Sequence, residues 1–263
     1  MLRRLLLAVL LSFAALGARA ADYTDIWWNP AENGWGVNLV QSDNFIFATF
    51  FVYGPNNQPI WYAGNLNADG IGNYTGALYV TTGTYFGTVP YNPAQWGVTQ
   101  VGTATFTPTT AYTGVLTYNV GGVTVTKNIQ RQTLTAIALG GSYVGGQSGE
   151  YVSCPDTSLN ATYIDTYTTL SVSQSPASVA TFTFDYDLAH AHCTMSGTLE
   201  QHGQLYTIPN ATYQCTGGLN FDETATMYEI KATAQGIEGR FAAPSVGGGC
   251  REDASFSGVF LSQ

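Results

Sequence analysis

The stretch NFIFATFFVYGPNNQPIWY, residues 44–62, carries the pattern that decides the fold. Aromatic and β-branched residues fill most of its first ten positions, and these residue types favour extended strands. Residues 54–57, Gly-Pro-Asn-Asn, then supply the residue types that reverse a chain. Trp61 and Tyr62 restart the aromatic pattern just afterwards. A connection this short predicts an antiparallel pair, because parallel strands need a much longer crossover.

The same combination of short extended runs and turn residues recurs along the chain. Turn residues recur at intervals of roughly 8 to 12 positions, which is typical of an all-β domain. Further strand-like runs lie at residues 97–108, 121–130, 179–187 and 225–234, and further reversals at residues 67–70, 119–122 and 202–203. We therefore predict an all-β fold built from antiparallel strands.

A small motif, Thr or Ser followed by Gly, any residue and an apolar residue, recurs inside these runs. It occurs at residues 75–78, 113–116, 196–199 and 257–260. Glycine weakens a strand interior, so its repeated use favours sharp bends in a sheet that coils on itself. The alternative is chance recurrence in a chain with 30 glycines. We expect two consecutive antiparallel β domains, built as small up-and-down barrels or strongly coiled sheets.

The two halves of the chain differ in composition. All five Trp residues precede residue 100, whereas all four Cys residues follow residue 150. The Arg-Gln-Thr sequence at residues 131–133 ends the last strand-like run of the first half, and a new pattern begins after it. We place a Trp-rich β domain at residues 21–135 and a Cys-containing β domain at residues 136–263. Each half is long enough to enclose its own hydrophobic core.

Residues 1–20 have the pattern of a cleaved secretory signal peptide, with a basic start, an apolar run and small residues near the end. The apolar run of about 13 residues is shorter than the roughly 20 that a membrane-spanning helix needs. We expect cleavage before Ala21 and an exported protein, periplasmic or secreted, that is not integral to a membrane.

Loss of this segment would make the protein strongly acidic. Arg3, Arg4 and Arg19 are three of the eight basic residues, and all seventeen acidic residues lie after them, so the formal net charge changes from −9 to −12. Such a charge repels phosphate backbones, and the composition therefore argues against nucleic-acid binding.

Four cysteines in an exported chain predict two disulfide bonds, for which three pairings exist. No two of the cysteines have the Cys-x-x-Cys spacing typical of a structural zinc site. The segment between Cys193 and Cys215 has the pattern of a hairpin that turns near residues 202–204, which would place these two cysteines opposite each other. We predict the pairs Cys193–Cys215 and Cys154–Cys250, the second joining the first and last strands of its domain.

The segment WWNPAENGWG, residues 27–36, holds three of the five Trp residues. Neighbouring residues of a strand face opposite sides, so Trp27 and Trp28 cannot both point into one core. We expect a loop at the rim of the first domain, with Trp35 packed inward and one of the adjacent pair facing outward. One interpretation is an aromatic plug that closes a barrel end. The other is a binding surface for a sugar-like or apolar ligand, made by Trp27, Trp28, Trp35, Trp61 and Tyr62.

The first domain also carries a resemblance to a known module. The segments DIWWNPAENGWGVNL, IFATFFVYGPNNQPIWY and GVTVTKNIQRQ resemble a widespread β module of exported bacterial proteins, with the pattern W-W-N-P-A-E-x-G-W-G and a Phe/Tyr-rich hairpin. The resemblance covers about residues 23–133. It implies export and a β fold, and it transfers no activity and no functional residues.

The sequence contains no familiar catalytic motif. His190 and His192 are spaced to share one face of a strand and could bind a transition metal, although solvent-exposed strand histidines are more common. Paired carboxylates at residues 185/187, 222/223 and 252/253 are the minimum for glycoside hydrolysis, but acidic turns explain them better. We expect no catalytic residues, no metal and no cofactor.

These features together indicate an exported, non-catalytic protein that binds a small molecule or glycan, or interacts through its surface. One alternative is a structural envelope-associated protein whose aromatic residues are purely core, and a less favoured one is a hydrolase. The identity of the ligand and the oligomeric state stay open.

Overall fold

A computed structural model describes residues 21–262, and these form two consecutive closed barrels of antiparallel β-strands. Each barrel is a ring of eight strands in up-and-down order, and a short ninth strand adds to the ring of the second barrel. The predicted all-β class and the barrel form are confirmed. The predicted signal peptide, residues 1–20, lies outside the described residues. Within the described residues, no helix has the length and apolar character needed to cross a membrane.

The first barrel contains β1 to β8. Their bounds are β1 (Asp25–Trp28), β2 (Gly36–Ser42), β3 (Phe45–Tyr53), β4 (Pro59–Ala68), β5 (Tyr74–Thr82), β6 (Gly97–Pro108), β7 (Thr113–Val120) and β8 (Val123–Arg131). β8 pairs with β1 and closes the ring, with Trp27 opposite Arg131. One turn of 3₁₀ helix, Pro93–Gln95, lies in the long β5–β6 connection.

The second barrel contains the remaining strands. Their bounds are β9 (Gly141–Val152), β10 (Ala161–Gln174), β11 (Val179–Tyr186), β12 (Ala191–Thr198), β13 (Glu200–His202), β14 (Leu205–Gly217), β15 (Phe221–Ala232), β16 (Gly236–Val246) and β17 (Cys250–Ser262). β17 pairs with β9 and β12 pairs with β14, which closes the ring. The short β13 follows β12 and also pairs with β14. A 3₁₀ turn, Thr157–Leu159, lies between β9 and β10.

The turns expected from the sequence all separate strands. Residues 54–57, 67–70, 119–122 and 202–203 lie at the β3–β4, β4–β5, β7–β8 and β13–β14 reversals. The predicted boundary near Ala136 falls in the segment that joins β8 to β9, between the two barrels.

Each barrel encloses its own core because alternate residues of a strand face the same side. On β3, Ile46, Ala48 and Phe50 are fully buried, whereas Phe47 and Phe51 face outward and are exposed. The same alternation buries the inward residues of β11 in the second core.

Glycines of the recurrent small motif lie where strands approach closely. A Cβ on Gly76 of β5 would be 1.8 Å from the backbone oxygen of Asn65 on β4. A Cβ on Gly197 of β12 would be 2.5 Å from Cγ2 of Ile208 on β14. Only glycine permits these approaches without a shift of the neighbouring strand.

The two barrels are joined by the tip of the β13–β14 hairpin, which contacts the closing strands of the first barrel. The backbone N–H of Gln204 donates to Oδ2 of Asp25 at 2.9 Å, and that of Gly203 donates to Oγ1 of Thr133 at 3.1 Å. Asp25 also pairs with Arg131, whose Nη1 lies 3.1 Å from Oδ2. Both charged side chains are buried, so the ion pair and its hydrogen bonds are part of the barrel junction.

Candidate functional site: a cavity in the second barrel

A cavity of about 310 Å³ opens at one end of the second barrel. Small-molecule sites are clefts of this order of volume, with mostly apolar walls and a few polar groups. Four tyrosines, Tyr151, Tyr163, Tyr186 and Tyr213, line the cavity together with Gln147 and Glu252. A closed eight-stranded barrel has an interior wide enough to hold one small ligand.

The inward faces of the strands place these side chains. Tyr163 on β10 is opposite Gly149 on β9, and Glu252 on β17 is opposite Tyr151 on β9. Because side chains alternate along each strand, residues two apart project into the same interior. The cavity is therefore formed by residues from strands that lie far apart in the sequence.

Glu252 is the more deeply buried of the two acidic side chains that line the cavity, with only 1 % of its surface exposed. Its Oε1 accepts a hydrogen bond from the hydroxyl of Tyr163. Its Oε2 is buried and has no hydrogen-bond partner among residues 21–262. A buried carboxylate oxygen without a donor of regular geometry is costly, so a hydrogen-bond donor on a ligand would stabilise this atom.

A chain of hydrogen bonds leads to the same carboxylate. The hydroxyl of Tyr186 donates to Oε1 of Gln147 at 2.5 Å, and Nε2 of Gln147 donates to the hydroxyl oxygen of Tyr163 at 2.5 Å. Tyr163 in turn donates to Glu252. Such a connected network fixes the rotamers of its members, so the polar end of the cavity is preformed.

Burial in this environment raises the pKa of Glu252 to about 7. The Tyr163 hydroxyl, which donates to Oε1, and the nearby hydroxyls of Tyr213 and Tyr151 oppose this rise in pKa. The Tyr213 and Tyr151 hydroxyls make no hydrogen bond of regular geometry to Oε2. Burial and the nearby Glu252 charge raise the pKa of Tyr163, so its hydroxyl keeps the proton that it donates. The cavity thus contains one carboxyl group that titrates near neutral pH.

The other carboxylate that lines the cavity, Asp165, is used by the fold. Its Oδ1 accepts from the backbone N–H of Thr166 at 2.8 Å and of Leu188 at 3.0 Å, and its Oδ2 accepts from that of Ala189 at 3.0 Å. These bonds hold the β11–β12 connection at the cavity, and two residues of this connection, Leu188 and Ala189, form part of the cavity wall. Asp165 therefore shapes the rim of the site.

Two disulfide bonds lie at the same end of the barrel, and they are the pairs expected from the sequence, Cys154–Cys250 and Cys193–Cys215. Cys250 is two residues from Glu252 on β17, and Cys215 is two residues from Tyr213 on β14. Residues two apart face the same side of a strand, so the bonds restrain the strands that carry the cavity.

A larger cavity, of about 450 Å³, lies at the barrel junction. Charged side chains line it, and four of them form ion pairs with one another. Nζ of Lys231 lies 3.5 Å from Oδ2 of Asp22, and Nη1 of Arg240 lies 3.8 Å from Oε2 of Glu229. Its charged groups therefore contribute to the junction, and the smaller cavity is the better candidate for a ligand site.

Trp27, which the sequence placed in a candidate ligand surface, belongs instead to the core of the first barrel. It is fully buried, its Nε1 donates to the backbone oxygen of Tyr23 at 3.0 Å, and the guanidinium of Arg131 lies 5.1 Å from its ring. The adjacent Trp28 is only partly buried, because neighbouring residues of a strand face opposite sides. Trp27 offers no surface to a ligand, because closure of β1 against β8 encloses its ring.

The polar residues of the WWNPAENGWG segment stabilise the loop itself. Oε2 of Glu32 accepts from Nε1 of Trp35 at 3.2 Å, and Oε1 accepts from Nδ2 of Asn29 at 3.2 Å. Lys127 pairs with Glu32 and lies 4.9 Å from the centre of the Trp35 ring. Trp35 is partly buried and packs against the core, in the inward direction that the sequence predicted.

Trp61 and Tyr62 point to opposite sides of β4. Trp61 is 50 % exposed on the outer face, opposite Phe51 of β3, whereas Tyr62 packs against the core. The five predicted aromatic residues are therefore not gathered around one cavity, and none of them lines either cavity described above.

The histidines and acidic pairs also differ from expectation. His190 precedes β12 and has a φ of 48°, so it does not share a strand face with His192, which is exposed and lies 2.6 Å from Asp185. No group of three or more His, Cys, Asp or Glu side chains that could hold a metal occurs in the described part of the chain. The pairs 222/223 and 252/253 lie on strands β15 and β17, so the interpretation as acidic turns was wrong there.

Sequence reasoning therefore missed Glu252 as a site residue. The signal that could have identified it was the set of tyrosines within strand-like runs, each at an inward position. Glu252 is in the same alternating register as Ala254 and Phe256, which indicates an inward-facing carboxylate, whereas the adjacent Asp253 is in the opposite register.

Comparisons with known proteins add no assignment. The sequence matches no protein-family model and no curated protein. A solved structure from Nostoc punctiforme, a DUF3598-family protein of unknown function, is similar at a TM-score of 0.28 and 9% sequence identity, over 90% of this chain and 93% of that one. A similarity this low carries no argument about shared fold or function.

Proposed function

We propose that this protein is an exported, non-catalytic binding protein that holds one small organic molecule in the cavity of its second barrel. The observation that carries this proposal is the buried Glu252, which lines a tyrosine-walled cavity and whose Oε2 makes no hydrogen bond of regular geometry within the described residues. A ligand that donates a hydrogen bond would satisfy this atom and cover the aromatic walls.

A binding role is favoured over hydrolysis by the state of the two cavity carboxylates. Glycoside hydrolysis uses two carboxyl groups that both act on the substrate. Asp165 accepts three backbone hydrogen bonds and is held at the rim, which leaves Glu252 as the carboxyl group with a free acceptor atom. One carboxylate can orient a ligand but does not make an acid–base pair.

Export is supported by the two disulfide bonds. Both cysteine pairs lie in the second barrel and no free cysteine occurs among the described residues. Disulfides persist in oxidising compartments, which fits a periplasmic or secreted protein.

Native mass spectrometry of protein purified under mild conditions from the cells that produce it tests the proposal. We expect a small-molecule adduct on the wild-type protein. The rim variant Ala189→Trp should lose the adduct, because its ring would occupy the cavity. The matched control Ala94→Trp, at an exposed site in the first barrel, should retain it. A wild-type protein without adduct, or a folded Ala189→Trp variant that keeps it, would contradict the proposal.

A second candidate is surface interaction through the first barrel. Phe47, Phe51, Tyr53 and Trp61 lie exposed on the outer face of the neighbouring strands β3 and β4, and Phe86 in the β5–β6 connection is 93 % exposed. Contiguous exposed apolar side chains commonly mark interaction sites. Such a role would be compatible with the cavity and would use a different surface.

Alanine variants at Phe51 and Trp61, which lie opposite each other on the outer face, test this second candidate. If the outer aromatic residues bind a glycan, retention on immobilised polysaccharides should fall by about tenfold or more for one of the variants, with little change in stability. Equal retention by both variants and the wild-type protein would argue that these residues only cover the barrel.

A further inference from the structure

The chemistry of the second-barrel cavity also identifies a ligand class, an inference that rests on the proposed function. We infer that the cavity takes an organic amine in its protonated form, with an ammonium N–H that donates to Oε2 of Glu252. The aromatic walls would cover the apolar part of the same molecule.

The first argument is the number of acceptors and donors at the carboxylate. Oε1 of Glu252 already receives the hydroxyl proton of Tyr163, and that hydroxyl in turn accepts from Gln147. Oε2 is buried and receives no hydrogen bond of regular geometry, although the hydroxyls of Tyr151 and Tyr213 lie near the carboxylate. A donor from the ligand completes the network, and a charged donor makes a stronger bond to a carboxylate than a neutral one.

The second argument is charge. None of the described residues that line this cavity is Lys, Arg or His, whereas two of them, Asp165 and Glu252, are acidic. A buried carboxylate without a cationic partner is destabilising, and a bound ammonium ion supplies that partner. Anionic ligands such as carboxylates or phosphates would meet repulsion instead.

The third argument is the aromatic lining. Tyr151, Tyr163, Tyr186 and Tyr213 all contribute to the cavity wall, and Tyr151 and Tyr163 stack with ring centres 5.1 Å apart. Aromatic rings attract organic cations and do so more strongly where water is excluded. The combination of tyrosines and one carboxylate fits an alkyl or aryl ammonium ion.

The binding should depend on pH, because only the ionised carboxylate pairs with the ammonium ion. The groups that face Glu252 from the elements around it are Gln147, Tyr151, Tyr163, Asp165, Tyr186, Tyr213 and the adjacent Asp253. The tyrosines that surround Glu252 keep their protons at neutral pH, since burial raises their pKa values. The free carboxyl group has a pKa of about 7, so affinity for an ammonium ion should rise between pH 5.5 and pH 8.

Isothermal titration calorimetry with three probes of similar shape tests the inference. Benzylammonium carries charge and N–H donors, benzyl alcohol has a neutral donor, and benzyltrimethylammonium has charge without a donor. We expect wild-type protein at pH 8 to bind benzylammonium about tenfold or more tighter than either of the other two. Glu252→Gln should bind benzylammonium and benzyl alcohol with affinities within about threefold of each other.

A measurement on the wild-type protein alone keeps the test independent of how the variant folds. The affinity for benzylammonium should increase by about tenfold or more from pH 5.5 to pH 8, whereas that for benzyl alcohol should stay nearly constant. Equal pH dependence of the two probes would overturn the inference.

The remaining outcomes separate the ligand class from the proposed function. If benzyl alcohol binds as tightly as benzylammonium at pH 8, the amine inference is wrong and the cavity still binds small molecules. If benzyltrimethylammonium binds as tightly as benzylammonium, the N–H donor has no part in recognition. The inference that an ammonium N–H donates to Glu252 is then wrong. If no probe binds and the protein from its own cells carries no adduct, both the inference and the proposed function are wrong.

Discussion

Gly149 faces Tyr163 across the β9–β10 pair, and a Cβ on Gly149 would lie 2.7 Å from the hydroxyl oxygen of Tyr163. The same Cβ would lie 2.8 Å from Cβ of Ala254. The hydroxyl of Tyr163 donates to Glu252, so the missing side chain of Gly149 gives that hydroxyl its room. The polar end of the cavity depends on this glycine.

Gly149→Ala should therefore displace Tyr163 or the neighbouring strand. We expect the free energy of unfolding to fall by about 1–3 kcal/mol, the usual cost of overpacking a core. Urea denaturation measures this change. The control is Gly83→Ala, where a Cβ would meet nothing within 4 Å, and it should change stability by less than about 0.5 kcal/mol. Equal stability of the two variants would contradict the role of Gly149.

The pH dependence of stability should show the burial of Glu252. Burial raises its folded-state pKa from 4.5 to about 7, so the folded state binds the proton more tightly than the unfolded state. The stability that this proton contributes is present below about pH 4.5 and is lost as pH rises to about 7. The loss corresponds to roughly 3 kcal/mol.

Comparison with Glu252→Gln isolates this contribution from all other titrating groups. Relative to wild type, the variant should gain roughly 3 kcal/mol of unfolding free energy between pH 4.5 and pH 8, as measured by urea denaturation. Glu150→Gln, at an exposed position of β9, should keep the wild-type pH dependence. A pH-independent difference between wild type and Glu252→Gln would show that the carboxyl group titrates at its ordinary pKa.

Each disulfide bond should stabilise the second barrel. Removal of the Cys193–Cys215 bond by a double alanine substitution should lower the free energy of unfolding by about 3 kcal/mol, since its cysteines are 22 residues apart. The Cys154–Cys250 bond closes a separation of 96 residues and should contribute somewhat more. Non-reducing peptide mapping checks the pairing, and a peptide that links Cys154 to Cys193 would contradict it.

The tryptophans should differ sharply in their contribution to stability. Trp27→Ala removes a fully buried ring and should cost about 3–5 kcal/mol. Trp61→Ala removes a half-exposed ring on the outer face and should cost less than about 1 kcal/mol. Chemical denaturation of both variants decides the matter, and equal losses would show that the outer ring is also part of a core.

The strands, their reversals and the Cys193–Cys215 pair could be predicted from the sequence because each depends on a local pattern. The run around Phe50 alternates over a few residues, and the turn at residues 54–57 follows it directly. The Cys193–Cys215 pair follows from counting along one hairpin. None of these inferences needs knowledge of distant parts of the chain.

The site was not accessible in the same way, because it forms only when distant strands pair. Glu252 enters the cavity through the pairing of β17 with β9, which joins residues about a hundred positions apart. In sequence, Glu252 and Asp253 looked like an acidic turn, since charged residues seldom lie inside barrels. Trp27 was misplaced for a related reason, because its burial depends on the closure of β1 against β8.

A ¹³C NMR titration of the Glu252 carboxyl carbon tests the central claim most directly. The resonance is assigned by its loss in Glu252→Gln and is followed from pH 4 to pH 9 with and without saturating benzylammonium. We expect a midpoint near pH 7 in the free protein, as the burial of Glu252 requires. With benzylammonium bound, the midpoint should fall by about one pH unit or more, because the ammonium ion stabilises the carboxylate. An unchanged midpoint would contradict the claim that this cavity binds its ligand at Glu252.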